Sequence, residues 1–152
     1  MDATWSLMGE DVDSPNLERM LAHVAENWSI DTNKLLLTGM SDGGTFTYVQ
    51  GLQSDSKFTH LAPISASFHP FLLEVVERER LQDLPIYLTH GAKDWMFPVD
   101  IPRTAYRALA RGGADIVYRE ISDLSHTYPR EENARILDWF LDGKRPEDTF
   151  AG

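Results

Sequence analysis

The chain has 152 residues, 42% of them hydrophobic and 25% charged, enough to bury the core of a single domain. Twenty-four acidic residues against 14 basic ones leave a formal net charge of −10, which repels nucleic acid, and no Lys/Arg cluster offsets it locally. The sequence has 0 cysteines, which excludes disulfides, thiol catalysis and thiolate metal sites, and no apolar run approaches the ~18 residues needed to span a bilayer.

Met1-Asp2-Ala3-Thr4 lacks a basic or apolar leader pattern, so the expectation is a cytoplasmic protein. Pro15 stands at a first helical turn after Asp13 and Ser14, and Leu17, Met20, Leu21 and Val24 repeat at helical spacing through about Trp28. Asp31-Thr32-Asn33 forms a polar turn. Lys34 to Thr38 then reads as a strand whose unbroken leucines suit a parallel sheet. A helix follows over about Gly43 to Gln53, then a strand from Phe58 to Ile64 and a charged helix from Leu72 to Leu81. Pro85 to His90 is a third strand, Pro102 to Arg111 a helix stopped by Gly112-Gly113, Asp115 to Ile121 a fourth strand and Arg130 to Leu141 a last amphipathic helix. Residues 143–152, GKRPEDTFAG, read as a loose tail. Strands alternating with helices imply an α/β fold, a mostly parallel sheet of about four strands with helices on both faces.

The chemistry sits where these strands end. Gly39-Met40-Ser41-Asp42-Gly43 is a Gly-x-Ser-x-Gly between a strand and a helix, the pattern of a nucleophile elbow. Chance alone gives that pentapeptide in roughly one chain in twenty of this length, so its context decides. The turn lifts the Ser41 hydroxyl above the sheet and aims the Asp42 N–H, at a helix N-terminus, toward a developing oxyanion. Glycine at Gly39 and Gly43 is expected from the tightness of the turn. A serine hydroxyl needs an imidazole to take its proton, and the imidazole needs a carboxylate to fix its tautomer. Asp94 follows the third strand and His126 the fourth, in the chain order Ser, Asp, His.

Each assignment has competitors. Asp100 reads as a helix cap and Asp123 as a turn aspartate beside His126. Among the histidines, His23 lies on a helix, His60 within a strand, and His90 before a glycine, where a structural hydrogen bond is expected. His69 is placed near the pocket with Phe68, and Trp95, Met96 and Phe97 directly follow the acid; all can contact substrate or simply pack. The ERER run from Glu77 to Arg80 reads as a solvated helix face. The scattered histidines have no metal-ligand spacing, so neither metal nor cofactor is expected.

LTGMSDGG, HGAKDWMFP and LSHTYP together resemble the three catalytic motifs of the serine α/β-hydrolase superfamily, closest to its carboxylesterase/phospholipase and polyhydroxybutyrate-depolymerase-like esterases. Phe97 stands where that family commonly has valine. The resemblance implies a Ser41-His126-Asp94 triad acting on small-molecule esters with short acyl chains, with peptidase or thioesterase chemistry, or a catalytically silent interaction module, as alternatives on the same scaffold. It also implies that residues 1–152 form one truncated domain, the carboxyl-terminal half of the usual fold. The segment that supplies a second oxyanion N–H in that family has no counterpart before Ser41, unless Asp2 to Met8 are its remnant. The strand Leu35 to Thr38 would then keep an open apolar edge, to be covered by homo-oligomerisation or by a partner.

Overall fold

The computed structural model describes residues 11–150. In chain order its elements are α1 (Asp13–Asn27), β1 (Leu36–Met40), α2 (Asp42–Gly51), β2 (His60–Ile64), α3 (Leu72–Val75), α4 (Arg78–Leu81), β3 (Pro85–Gly91), α5 (Asp100–Gly112), β4 (Asp115–Ile121) and α6 (Glu132–Asp142). The four strands form one all-parallel sheet in the order β1-β2-β3-β4. Leu37 is aligned with Leu61, Leu61 with Ile86 and Ile86 with Ile116, so one row of apolar side chains crosses the sheet.

Both faces of the sheet are covered, which is why its strands read as continuous apolar runs rather than alternating ones. Ile86 and Leu88 point to the face packed by Tyr48 of α2, Leu52 just after it and Leu109 of α5. Tyr87 and Val117 point to the other face, against Ile136 and Trp139 of α6. One polar anchor fixes α6: the Tyr87 hydroxyl donates to the buried Glu132 carboxylate at 2.7 Å, and Arg135 pairs with its other oxygen at 2.8 Å. At the sheet's outer margin β1 pairs only with β2 among the described residues, and Leu36 and Leu37 are half-buried. Among the described residues nothing covers the apolar stripe running from α1 to Trp28: Met20, Val24 and Trp28 are exposed, and Leu17, Leu21, Ile30, Leu35 and Phe58 continue the same apolar groove.

Three expectations are corrected. The predicted helix from Leu72 to Leu81 is broken into α3 and α4, because Val76 and Glu77 are extended, with ψ of 129° and 137°. Its charged run is not simply a solvated face, since the Arg80 guanidinium donates to the carbonyls of Gly51 at 2.6 Å and Phe58 at 2.7 Å and pins α4 beneath α2. The second correction concerns the strand expected from Lys34 to Thr38, which instead runs from Leu36 to Met40, directly into the serine.

The third concerns the segment expected to be a loose tail, of which residues 145–150 are docked along the outer edge of β4. Arg145 pairs with Asp115 and donates to the Ile116 carbonyl at 2.7 Å. The Tyr118 N–H donates to Asp148 at 2.6 Å, and the Thr149 N–H returns a bond to the Tyr118 carbonyl at 3.0 Å. The Phe150 ring lies edge-on to Tyr118 and beneath the guanidinium groups of Arg103 and Arg107, at 5.0 and 5.2 Å. These contacts satisfy backbone groups that an edge strand would otherwise leave to water.

Candidate active site

The site is built at the carboxyl ends of β1, β3 and β4, where the loops of an open parallel sheet gather. β1 passes into α2 through Ser41, whose backbone has φ 58° and ψ −122°, a conformation costing a non-glycine residue about 1–3 kcal/mol. The turn is held from both sides: the Ser41 N–H donates to the Ile64 carbonyl at 3.0 Å, and the Ser41 carbonyl accepts the Thr45 N–H at 2.9 Å. The N–H groups of the first turn of α2, beginning with Asp42, precede any intrahelical acceptor and are free for an incoming anion.

The glycine requirement is only partly as expected. A β-carbon at Gly39 would overlap the Gly43 carbonyl, so Gly39 is required. A β-carbon at Gly43 would meet nothing within 4 Å, whereas at Gly44 it would fall 2.8 Å from the Ala66 β-carbon and 2.9 Å from the carbonyls of Gly39 and Ile64. The tight packing thus falls on Gly44 rather than on the second glycine of the pentapeptide.

Asp94 lies in the loop after β3. Its Oδ1 accepts the N–H groups of Met96 and Phe97, both at 2.9 Å, and its own N–H donates to the Gly91 carbonyl at 3.1 Å. This loop is bound to the one that follows β4: the Ala92 N–H donates to Ile121 and the Lys93 N–H to Leu124, at 2.8 and 3.0 Å. Gly91 lets the two loops touch, since a β-carbon there would overlap the Leu124 carbonyl. His126 is carried on that second loop. Its Nδ1–H donates to Asp94 Oδ2 at 2.8 Å, and its Nε2 faces the Ser41 hydroxyl at 3.0 Å, across 85 residues of sequence. The carboxylate accepts at Nδ1, which leaves Nε2 as the acceptor for the serine proton.

Burial alone would raise the Asp94 pKa, but the Phe97 N–H, His126 and the Met96 N–H outweigh it and hold the carboxyl below its ordinary value. The acid is therefore ionised at neutral pH. Another histidine meets the same carboxylate: the buried His90 donates from Nε2 to the Phe97 carbonyl at 2.9 Å, and that nitrogen is 3.5 Å from Asp94 Oδ2.

The structure brings Ser41, Asp94 and His126 together, with the Asp42 N–H at the start of α2 beside them. Trp95 is 74% exposed and Met96 is also exposed, both next to the acid, and Trp95 and Phe97 stand edge-on to the His126 ring at 6.1 and 5.4 Å. Phe68 is a correction, because it is buried against Tyr48 in the core and offers substrate nothing. His69 is exposed, with Nδ1 accepting the Phe71 N–H at 3.2 Å. Asp100 and Asp123 are exposed, and His60 packs on Trp139 and Phe140, away from the serine. Residues Asp2 to Met8 lie outside the described residues.

Sequence reasoning missed Thr45. Its hydroxyl donates to the Ser41 carbonyl at 3.2 Å and accepts the Ser67 N–H at 3.0 Å, tying the elbow to the loop after β2. The available signal was a threonine four residues after the serine, at the spacing where a helical hydroxyl bonds back to the preceding turn.

No protein-family profile matches the chain. A bifunctional acetylxylan esterase/xylanase from Neocallimastix patriciarum is 29% identical over 92 residues, covering 60% of this chain and 13% of that protein. Among solved structures, Arabidopsis thaliana SOBER1 superposes with a TM-score of 0.70 at 20% identity, over 86% of this chain and 62% of that one. Esterase PE8 gives 0.63 at 22% identity, over 84% of this chain and 60% of its own. The Bacillus cereus carboxylesterase gives 0.65 at 13% identity, over 85% and 59%. The chain thus spans less than two thirds of the solved structures it matches.

Proposed function

We propose that this chain, which has the fold of the α/β-hydrolases, is a serine esterase acting on short acyl esters. The observation that carries the reading is the continuous relay from the Ser41 hydroxyl through His126 to a buried, ionised Asp94. Ser41 Oγ attacks the ester carbonyl carbon while its proton passes to His126 Nε2, and Asp94 stabilises the imidazolium without accepting a proton itself. The oxyanion of the tetrahedral intermediate meets the Asp42 N–H at the positive end of α2. As the intermediate collapses, His126 returns the proton to the departing alkoxide, leaving an acyl-Ser41. Water then repeats the sequence against the acyl-enzyme, with His126 again base and then acid.

The Asp42 N–H is one oxyanion donor, and such a donor carries a large share of the rate. Loss of one such donor costs about 2.7–4 kcal/mol, on the order of 100- to 1000-fold in turnover. The likeness to an acetylxylan esterase favours acetyl at the small end of the acyl range. The margin of β1, unpaired on its outer side among the described residues, and the apolar groove of α1 are the surfaces for a second copy of the chain, or for a partner that completes the sheet. Static light scattering on a sizing column reports that assembly, and a stable monomer would exclude the homo-oligomer.

The chemical test combines p-nitrophenyl acetate turnover with fluorophosphonate labelling of wild type and Ser41→Ala. Labelling at Ser41 and turnover that Ser41→Ala abolishes are expected. Wild-type turnover equal to that of Ser41→Ala, without labelling, refutes the esterase.

A further inference from the structure

Two histidines converge on one oxygen of Asp94, and only one of them reaches the serine. His126 Nδ1 lies 2.8 Å from Oδ2 and His90 Nε2 3.5 Å from the same atom, with the side chains of His90 and Asp94 both fully buried. A carbonyl can only accept, so the 2.9 Å contact to the Phe97 oxygen places the His90 proton on Nε2. Among the described residues the buried Nδ1 has no partner, so the ring has nowhere to donate a second proton and stays neutral. Burial pushes the His90 pKa down. The Phe97 carbonyl and Asp94 push it back in part.

The wiring closes on itself. The Phe97 carbonyl accepts a hydrogen bond from His90 Nε2–H and the Phe97 N–H donates to Asp94 Oδ1, while Asp94 Oδ2 accepts from His126 Nδ1–H. His90, at the end of a rigid central strand, is therefore the post to which the acid loop from Gly91 to Phe97 is fastened. Without that post, Phe97 would be free to move and Oδ1 would lose a donor that sets the carboxylate plane.

We infer that His90 is a positioning residue for the proposed triad: through the Phe97 carbonyl and Asp94 Oδ2 it fixes the carboxylate in the orientation that His126 requires. The role needs a neutral ring with a donor at Nε2, and a positive charge there would compete with the His126 imidazolium for Asp94. The inference rests on the esterase reading, and it assigns to a buried strand residue a kinetic effect exerted only through Asp94.

The test uses His90→Leu, His90→Asn and His90→Gln with p-nitrophenyl acetate. Glutamine places an amide donor near the Nε2 position, whereas asparagine places it near Nδ1, out of reach of Phe97. His90→Leu and His90→Asn are expected to lower kcat roughly 10- to 100-fold with KM little changed, because the misplacement is felt in the transition state. His90→Gln is expected to restore most of the rate. In an Asp94→Asn background, read by the rate of fluorophosphonate labelling at Ser41, the loss from His90→Leu should shrink to less than about 3-fold, as for residues acting in one unit. An equal loss in both backgrounds, a full rate in His90→Leu, or a His90→Gln variant as poor as His90→Asn overturns the inference. Should His90→Leu not fold, the Gln and Asn pair carries the comparison alone. A wild type without Ser41-dependent turnover refutes the esterase reading itself, whereas an active wild type with an equally active His90→Asn refutes only the role of His90.

Discussion

Replacing Asp94 by asparagine changes almost no volume and reverses one hydrogen bond. The two loop N–H groups of Met96 and Phe97 need an acceptor, so the asparagine carbonyl takes the place of Oδ1, at 2.9 Å from each. Its NH2 then occupies the position of Oδ2 and faces the donors of His126 and His90, at 2.8 and 3.5 Å. Two donors cannot bond each other. His126 relieves the conflict by moving its proton to Nε2, which turns Nδ1 into an acceptor and leaves a donor aimed at Ser41, 3.0 Å away. A base that already holds a proton cannot take another. The expected loss in kcat is about 10⁴-fold, or about 5.5 kcal/mol of transition-state stabilisation, with KM nearly unchanged. The assay is p-nitrophenyl acetate turnover near neutral pH, with a thermal melt to show that the variant folds. A folded Asp94→Asn protein within tenfold of wild type, beside an inactive Ser41→Ala, refutes the relay.

Three further outcomes follow from the geometry. Gly44→Ala pushes a methyl to within 2.8 Å of Ala66 and should cost about 1–3 kcal/mol and most of the activity, whereas Gly43→Ala should be tolerated; equal effects on turnover and Tm would contradict the elbow packing. Truncation after Gly143 removes the Phe150 ring and the edge bonds of Tyr118, and urea denaturation should show a loss of about 2–4 kcal/mol, while an unchanged midpoint would mean that the tail is not docked. Arg103 holds the Glu120 carboxyl below its ordinary value, and Asp94 is also held low. Carboxyls that bind protons more weakly when folded add stability that is complete above about pH 5, beyond their unfolded values, and is lost as pH falls through their folded values. Tm should therefore drop on acidification below about pH 5, and Glu120→Gln should flatten part of that drop; parallel curves for the two proteins would refute the assignment.

The residues proposed as a triad were legible because Ser41, Asp94 and His126 each follow a strand that the apolar pattern of the sequence reveals. A run such as PIYLTH, short, bounded by a proline and a glycine and rich in β-branched and aromatic residues, reads as a buried strand, so the residues after it belong to the loop cluster where a parallel sheet carries its chemistry. The pentapeptide added the strained turn, whose backbone at Ser41 has φ 58°. The tail was not legible for the opposite reason. Residues 145–150 have no periodicity, and their order comes from the free edge of β4, some 30 residues earlier in the chain.

Local pattern thus determined the order of the strands and main helices and pointed to Ser41, Asp94 and His126 at the strand ends, since periodicity and turn chemistry act over a few neighbours. Only the tertiary structure decided what depends on distant backbone meeting at van der Waals distance. It moved the glycine requirement to Gly44, because Ala66 and Ile64 arrive there from β2 and the loop after it. It drew Phe68 into the core against Tyr48. It set His90 and His126 on the same carboxylate oxygen, a convergence of β3 and the β4 loop that no spacing along the chain encodes.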